Sequence, residues 1–347
     1  MSTPEITVRG GGVFGLSVAW ACLKRGAKVR VIERRAIGAG ASGGIVGALA
    51  PHTPENWNDK KQFQFDSLIM ARDWWPEIEA VSGLPSGYMR TGRVQPVMDD
   101  KGLDLARARS KGAQIFWKNL AHWSVDQSAG TTWEPPSPTG WLIRDTLSAH
   151  IHPRQALSAL AAAITTRGGE IILGDGEARG QVVHSTGYEG LLEIAKEMDQ
   201  PVGNGVKGQA VLLNHDAIGQ PQLFADALHI VPHLDGTVAI GSTSEREFDD
   251  PTSTDGRLDD ILRRARLAFP VLAGAPVLAR WAGIRPRAKS RAPMIGRHPL
   301  DPDAFIANGG FKIGFGMAPK VGEVMADLIL EGRDTIPDSF KPEASLT

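Results

Sequence analysis

The string GGGVFG at positions 10–15 is a GxGxxG pattern, the first feature of the chain with a clear chemical meaning. Its glycines permit a tight turn and a close approach of the backbone to a pyrophosphate, which binds at the following helix N-terminus, where free N–H groups and the helix dipole favour anions. Glu33 ends the next predicted strand about 20 residues further on, where a carboxylate accepts a hydrogen bond from a ribose hydroxyl. The spacing predicts a dinucleotide site; the alternative is a glycine-rich turn with a surface glutamate.

A second glycine-rich segment, IGAGASGG at 37–44, follows shortly after Glu33. A nicotinamide-binding fold would normally continue there as a plain βαβ unit, so the second loop favours a flavin. Arg34 and Arg35 could suggest a 2′-phosphate, but the Glu33 carboxylate beside them would repel it. We expect both arginines to be solvated or to face the pyrophosphate.

The elements that must position these loops follow from the hydrophobic pattern. Residues 6–8 and 28–33 read as strands around a helix at 13–25, which is a βαβ opening. Strands and helices alternate at both ends of the chain, whereas 90–145 and 206–280 are richer in β-structure. The simplest architecture is therefore α/β, with a nucleotide-binding domain built from discontinuous segments. Further helices are predicted at 62–81, 103–111, 153–167, 258–269 and 319–330, and further strands at 91–98, 181–185, 209–213, 228–232, 237–241, 277–284 and 304–307.

Composition narrows the possible classes. Lys and Arg number 38 against 39 Asp and Glu, a net charge of −1, which counts against a non-specific nucleic-acid binder. The single cysteine, Cys22, excludes a disulfide framework and a cysteine-based zinc site and fits a reducing compartment. No metal site is predicted, and no apolar run reaches the ~18 residues of a membrane span. We expect a cytoplasmic protein with no membrane partner.

Several short motifs then occur in a recognisable order. Gly40-Ala41-Ser42 is followed by Gly47-Ala48-Leu49. The later motifs are His152-Pro153-Arg154, Val182-Val183-His184-Ser185-Thr186-Gly187, Val206-Lys207-Gly208-Gln209, Ile230-Val231-Pro232, Gly283-Ile284-Arg285-Pro286, Pro293-Met294-Ile295-Gly296 and the glycine-rich 309–319. Together they resemble the FAD-dependent D-amino-acid oxidase family, in particular its glycine oxidase and sarcosine oxidase-like branch, over nearly the whole chain.

The resemblance implies an FAD-binding Rossmann-like domain of the glutathione-reductase type with an inserted β-rich substrate domain. The predicted limits are 1–85, 146–205 and 281–347 for the FAD-binding domain and 86–145 and 206–280 for the substrate domain. The implied activity is FAD-dependent oxidation of the C–N bond of a small amino acid or N-substituted glycine, by hydride transfer to flavin N5, with the imine product hydrolysing in water. Because the closing loop holds no cysteine, the FAD is expected to be non-covalent.

The resemblance also assigns site residues. Arg285 is the implied carboxylate clamp, since a guanidinium pairs with a carboxylate through two parallel bonds. Lys312 stands where glycine oxidases tend to carry arginine, and it contacts either the substrate carboxylate or the flavin C2=O edge, or is a solvent-facing lysine. His229 replaces a tyrosine and is either a substrate hydrogen-bonding group or a domain-interface histidine. The implied cofactor-binding residues are Gly10, Gly12, Val13, Phe14, Gly15, Glu33, Arg34, Ala41, Ser42, Gly43, Leu49, Thr186, Gly187, Gly310, Gly314, Gly316 and Met317.

Two other functions stay open at this point. The same glycine loops resemble the flavin domain of bifunctional enzymes that oxidise an amine on the wobble uridine of tRNA, although the near-zero charge counts against a nucleic-acid partner. The third reading is a flavin-binding protein that has lost its activity, because the tyrosine and arginine positions have changed. The expected partners are a small amino-acid or amine substrate and O2 as a candidate electron acceptor, and the oligomeric state is left open.

Overall fold

The computed structural model describes residues 3–346. Within them the helices are α1 (Val13–Lys24), α2 (Asp59–Ser82), α3 (Asp100–Phe116), α4 (Pro153–Thr166), α5 (Gly187–Glu197), α6 (Gly256–Ala268), α7 (Gly314–Glu331) and α8 (Glu343–Leu346). The strands are β1 (Glu5–Arg9), β2 (Lys28–Glu33), β3 (Ala48–Leu49), β4 (Arg93–Pro96), β5 (Trp123–Gln127), β6 (Trp141–Asp145), β7 (Ala149–His150), β8 (Glu170–Leu173), β9 (Gln181–His184), β10 (Gly203–Asn214), β11 (Gln222–Ala225), β12 (Leu228–Pro232), β13 (Thr237–Gly241), β14 (Val277–Ala288), β15 (Met294–Arg297) and β16 (Phe305–Asn308).

A six-stranded sheet in the order β15-β16-β9-β1-β2-β8 carries the predicted nucleotide-binding motifs. Strands β16, β9, β1, β2 and β8 run parallel, and only the edge strand β15 is antiparallel to its neighbour. Parallel strands deliver their carboxyl ends to one edge of the sheet, where ligands of open α/β folds bind. The predicted α/β class with a Rossmann-like sheet is confirmed.

A second sheet of eight strands has the order β14-β10-β13-β12-β11-β4-β6-β5. Its pairs are antiparallel except for β4 with β11, which are parallel. Helix α6 covers one face, where Leu258, Ile261 and Ala265 pack against buried strand residues in a separate core cluster. This sheet corresponds to the β-rich insertion that the composition of 206–280 predicted.

The predicted domain limits remain a prediction. Strand β10 begins at Gly203 and strand β14 ends at Ala288, so both cross the limits that the sequence suggested at 205/206 and 280/281. The two strands pair along their whole lengths. The predicted limits therefore fall inside two paired strands of the eight-stranded sheet.

Helix α1 is apolar on all sides because it is buried on all sides, with every residue from 13 to 22 inside the protein. Its close neighbour is α7, where a Cβ at Gly322 would lie 2.7 Å from the carbonyl oxygen of Ser17. Beyond the C-terminal end of α1, Arg25 donates to Asp327 at 2.5 Å and to Glu323 at 2.7 Å. These contacts hold α1, which follows the first glycine-rich turn, against α7.

The last long helix begins earlier than the sequence predicted. We expected it to start at Pro319, where a proline suits the first turn, but α7 begins at Gly314 and Pro319 lies inside it. Proline lacks an N–H, so this interior position forgoes one helical hydrogen bond. Burial of the first two turns against α1 and α2 outweighs the weak helix propensity of the glycines.

Other elements were not anticipated. Helix α5 was not predicted, because Thr186-Gly187 reads as the end of a strand and the polar residues after it as a loop. The strands that were also missed are β3, β5, β6, β7, β8, β11 and β15. Helix α3 extends beyond the predicted 103–111 at both ends. Its earlier start follows from Asp99, which caps the helix because its side chain accepts from the Gly102 amide at 2.7 Å. In residues 3–346 we find no helix with the length and apolarity that a membrane crossing requires.

Candidate active site

A cavity of about 950 Å³ lies where the carboxyl edge of the six-stranded sheet meets the eight-stranded sheet. The ends of β1, β2, β9 and β16 form one part of its wall. The other part comes from β11, β12, β14 and the turn at 309–313. Its size and its place at the strand ends are those of a cofactor and small-molecule site in an α/β fold.

The first glycine-rich turn is held in a form that side chains would block. Gly10 has φ +114°, and a Cβ there would lie 2.3 Å from the carbonyl oxygen of Ser185. A Cβ at Gly15 would lie 2.1 Å from the carbonyl oxygen of Gly10. The turn therefore leads directly into the N-terminus of α1, where the backbone is exposed to the cavity.

Ser42 joins the second glycine-rich loop to the first. Its hydroxyl accepts a hydrogen bond from the Val13 amide at 3.0 Å. This bond satisfies one of the free N–H groups at the start of α1 and leaves the hydroxyl proton available to a ligand. Ala41 and Ser42 both line the cavity, in agreement with their predicted place beside the cofactor.

Glu33 has a structural contact that the sequence did not suggest. One of its carboxylate oxygens accepts from the Gly11 amide at 2.8 Å, and the other accepts from the Arg35 amide at 3.0 Å. The carboxylate therefore fixes the glycine turn as well as facing the cavity. Two carboxylate oxygens offer about four acceptor positions, so a ribose hydroxyl can still be bound.

Arg34 and Arg35 do not extend freely toward a phosphate. Arg34 pairs with Glu189 at 3.0 Å and Arg35 pairs with the same carboxylate at 3.2 Å. More than half of each arginine side chain is exposed. Both residues line the rim of the cavity, so their predicted solvated state fits, while a direct contact of Arg34 with a cofactor stays a prediction.

The remaining predicted cofactor residues fall into two groups. Those that line the cavity are Gly10, Gly12, Val13, Phe14, Thr186, Gly187, Gly310 and Gly314. Those that stand behind its wall are Gly15, Gly43, Leu49, Gly316 and Met317. The Met317 amide donates to Ile313 within α7 and its side chain is fully buried, so the free N–H groups at this helix start come from the residues before it.

The donors and shapes around the cavity fit an FAD. The N-terminus of α1 offers N–H groups to a pyrophosphate, and Glu33 offers a carboxylate to a ribose. A Cβ at Gly310 would lie 2.9 Å from the Phe14 ring, so the missing side chain lets the turn before α7 pack against the start of α1 at the cavity wall. The N-terminus of α7 supplies a positive dipole end on the same wall.

Arg285 is the buried cation of the other half of the cavity. It is 9% exposed, and its guanidinium donates to the Ser242 hydroxyl at 2.7 Å and to the Thr243 carbonyl at 3.3 Å. Burial lowers the pKa of Arg285 to about 10, partly opposed by the negative charge of Glu245. Arg285 therefore stays protonated at neutral pH and faces the cavity as a desolvated positive charge.

His229 lines the same cavity as a neutral group. Burial, together with the charges of Arg93 and Lys312, lowers the pKa of His229 to about 3. Its ring centre lies 4.7 Å from that of Phe224, with the two rings tilted by 47°, and within residues 3–346 its buried Nδ1 has no hydrogen-bond partner. A neutral imidazole can donate to or accept from a ligand without adding charge.

Lys312 is exposed at the turn that closes the cavity. Its ammonium lies 5.6 Å from the centre of the Phe311 ring. Partial burial lowers the pKa of Lys312, as do the positive charges of Arg285 and Arg287. The structure thus brings all three predicted catalytic residues to one end of the cavity.

Sequence reasoning missed the residues that support Arg285. Ser242 and Thr243 directly follow strand β13, and nothing in the sequence around them indicates a contact with a residue some forty positions later. Gly208 was likewise quoted without a role, although a Cβ there would lie 1.9 Å from Arg285 Nη1. The signal that could have suggested this contact is a glycine in one predicted strand, Gly208, where a second strand carries the arginine motif around Arg285.

Known proteins of similar sequence and fold place this geometry in context. A family model described as DAO, FAD dependent oxidoreductase, matches residues 5–328. ThiO of Rhizobium etli is 30% identical over 346 residues, which cover 94% of this chain and 97% of the relative. The glycine oxidase of Bacillus licheniformis is 25% identical over 94% of this chain and 93% of its own length. The crystal structure of glycine oxidase from Geobacillus kaustophilus has the same fold, with a TM-score of 0.82 and 20% identity over 98% of both chains.

Some relatives are much longer than this chain, so the sequence similarity covers only part of them. The chain spans 55% of the bifunctional ThiO/ThiG protein of Synechocystis sp. and 53% of that of a Nostoc species, which is about half of their length.

Proposed function

We propose a substrate and a set of residue roles for this chain, which belongs to the DAO family of FAD-dependent oxidoreductases. Membership confirms the predicted family and the FAD cofactor, and the glycine oxidase relatives support amine oxidation as the activity. The relatives named above do not support a tRNA-modifying enzyme or an inactive flavin-binding protein. The proposed reaction is oxidation of the C–N bond of glycine or an N-substituted glycine to the imine, which water hydrolyses.

The observation that carries this proposal is the buried guanidinium of Arg285. In residues 3–346 its hydrogen bonds go to neutral oxygens, although its side chain is almost fully withdrawn from water. A buried cation is costly unless an anion compensates it. The carboxylate of an amino acid entering the cavity would supply that anion and would be held by two parallel hydrogen bonds.

The groups around Arg285 favour a substrate amine in its neutral, unprotonated form. An amine must be neutral to release electrons from its nitrogen, and cations around it disfavour its protonated form. Arg285 and Lys312 supply that positive surrounding. We propose that neutral His229, which lines the cavity, contacts the substrate and orients the amine.

The chemistry that bound FAD supplies is the two-electron oxidation of the substrate C–N bond. We propose Gly10, Gly12, Val13, Ser42, Glu33, Thr186 and the turn before α7 as the residues that hold it. We further propose O2 as the final electron acceptor and the cytoplasm as the location; the latter rests on the single cysteine.

Anaerobic reduction of the holoprotein tests the proposal. We expect glycine or N-methylglycine to bleach the flavin absorbance, and aerobic turnover to release H2O2. Arg285→Ala should keep its FAD and raise KM at least tenfold, because a charge-assisted bidentate pair is lost. Arg285→Lys should recover little of this, because an ammonium cannot form the paired bonds.

An arginine outside the cavity provides the control. Arg297 is exposed on β15 and lies outside the cavity wall, so Arg297→Ala should leave KM unchanged. If Arg285→Ala has the KM of the parent enzyme, the clamp assignment is wrong. If no amino acid of a panel including proline and D-alanine bleaches the flavin, the proposed substrate class is wrong.

A further inference from the structure

The acidic side chains that line the cavity all lie at the end near β2 and α5. They are Glu33, Asp175, Glu189 and Glu193, and Arg9, Arg34 and Arg35 line the same end. The described part of the eight-stranded sheet and the closing turn contribute two charged lining residues, Arg285 and Lys312, and both are cations. In residues 3–346 neither forms an ion pair, although the negative charge of Glu245 acts on Arg285. The substrate end of the cavity therefore carries two positive charges and no lining carboxylate.

The two cations have a fixed relative position. The Phe311 amide donates to the Pro286 carbonyl at 3.0 Å, and the Ile313 amide donates to the Gly310 carbonyl at 3.0 Å. Phe311 adopts the left-handed backbone region with φ +45°, which costs a non-glycine residue energy and is typical of functional turns. The turn that presents Lys312 is thus bonded to the strand residue next to Arg285.

The Phe311 ring also keeps cations on this side. The Arg287 guanidinium lies 5.6 Å from the ring centre, as does the Lys312 ammonium. An aromatic face attracts cations, but it carries no net negative charge and so does not neutralise them. Lys312 therefore stands over an aromatic platform, with its ammonium open to the cavity mouth.

The donors of Arg285 are sufficient for one carboxylate only. A guanidinium has five N–H donors. Two of them are engaged with Ser242 and Thr243, and a bidentate carboxylate takes two more. A substrate with a single carboxylate would neutralise Arg285 and leave Lys312 without an anion.

We propose that Lys312 binds a second carboxylate of the substrate, so that this enzyme acts on amino dicarboxylates such as N-carboxyalkylglycines. This inference rests on the proposed function, in which Arg285 holds the first carboxylate. The glycine carboxylate would bind at the buried Arg285, and the carboxylate of the nitrogen substituent would lie at the exposed mouth. Lys312 is then a specificity-determining residue.

Binding of inert analogues to the oxidised holoenzyme gives a direct test. Thiodiacetate replaces the reacting nitrogen by sulfur and keeps both carboxylates, and its monoamide is a neutral isostere at one end. Their dissociation constants follow from the change in flavin absorbance on titration. Because an ion pair at an exposed position is worth little, we expect thiodiacetate to bind three- to tenfold more tightly than the monoamide, and this ratio to fall with added salt.

Variants assign the preference to one side chain. Lys312→Met should reduce the ratio of the two dissociation constants to about one, and Lys312→Arg should restore it, since any cation serves at an exposed mouth. Lys101 is an exposed lysine on α3 outside the cavity wall, and Lys101→Met should keep the ratio of the parent enzyme. The flavin spectrum and FAD content of each variant show whether the cofactor site is intact.

The outcomes separate this inference from the proposed function. If the parent enzyme binds both analogues equally, or if Lys312→Met weakens both by the same factor, the second-carboxylate site is refuted. Bleaching of the flavin by N-methylglycine in the same preparation would leave the proposed function standing. If N-methylglycine, glycine and iminodiacetate all fail to bleach the flavin, the proposed function fails, while the binding ratio still reports on Lys312.

Discussion

The guanidinium of Arg285 lies directly against Gly208, where the Cβ of any other residue would approach within 1.9 Å of Nη1 and 2.1 Å of Cζ. The two residues sit on the paired strands β14 and β10, so the absence of a side chain on one strand makes the space for the long side chain of the other. Gly208, whose role the sequence does not reveal, thus sets the direction of the Arg285 side chain, the proposed carboxylate clamp.

Gly208→Ala tests this relationship. The methyl group should displace the flexible end of Arg285 instead of the backbone, so we expect KM for an amino-acid substrate to rise at least tenfold with FAD content and unfolding midpoint nearly unchanged. Steady-state kinetics with a urea unfolding curve checks both. Gly274→Ala is the control, because a Cβ there has open space around it. An unchanged KM in Gly208→Ala would show that Arg285 does not need this position.

Glu33→Ala should weaken cofactor binding. The variant removes the acceptor of two amides, at Gly11 and Arg35, so the glycine turn loses two charge-assisted hydrogen bonds. We expect FAD affinity to fall about 10- to 100-fold, as each 1.4 kcal/mol is a factor of ten. Titration of the apoprotein with FAD by fluorescence quenching measures it. Glu197→Ala, at an exposed position of α5, should bind like the parent protein, and equal affinity in both variants would refute the role of Glu33.

Arg93→Met should be strongly destabilising. Arg93 pairs with Asp145 at 3.0 Å inside the eight-stranded sheet, where the two side chains are 7% and 0% exposed. Removing the guanidinium leaves a buried unpaired carboxylate, which costs about 3–5 kcal/mol of unfolding free energy. The double variant Arg93→Met/Asp145→Asn should recover much of this, because the amide is neutral and its oxygen can still accept from Ser148. Urea unfolding measures both, and a double variant no more stable than the single one would contradict the explanation.

His150 should make the protein less stable in mild acid. Its side chain is fully buried, and within residues 3–346 neither ring nitrogen has a hydrogen-bond partner. Burial, with the nearby His233, lowers the pKa of His150 from 6.5 to about 4. As the pH falls below 6.5 the unfolded chain takes up a proton that the folded protein does not, so the free energy of unfolding decreases between pH 6.5 and 4.

His150→Leu removes this contribution. From pH 7.5 to pH 5 the parent protein should lose about 2 kcal/mol more unfolding free energy than the variant, from the proton uptake of one histidine. Urea unfolding at the two pH values measures this change in each protein. Any effect of the leucine side chain that is the same at both pH values cancels when the changes are compared. His215→Leu is the matched control, because His215 lies in the loop that follows β10 and is not fully buried. Parallel pH-dependence in His150→Leu and the parent protein would refute the assignment.

The parts of the fold that are formed by residues close together in the chain could be predicted from the sequence. The first strand, glycine turn, helix and second strand lie within about 30 residues, and their periodicity and glycines suffice to place them. The start of α7 was not accessible, because the residues from Gly314 to Pro319 favour a loop by themselves and become helical through burial against α1 and α2.

The candidate site shows the same division. Motif resemblance predicted Arg285, Lys312 and His229, and the cavity contains all three, though their roles remain proposals. The contacts of Arg285 with Ser242 and Gly208 join positions far apart in the chain, and no local pattern encodes them. The carboxylate of Glu33 was expected to serve a ligand; its bonds to two amides appear only when the turn is folded.

The cavity wall combines the turn after β1, near residue 10, with the turn before α7, near residue 314. Strand β1 lies in the middle of its sheet, and the strands β9 and β16 on one side of it are made more than 170 residues later in sequence. A ribosome must therefore synthesise some 300 residues, from β1 to the turn near residue 314, before the cofactor has a complete place to bind. Shorter nascent chains should carry no flavin, which makes cofactor loading a late step in the folding of residues 5–314.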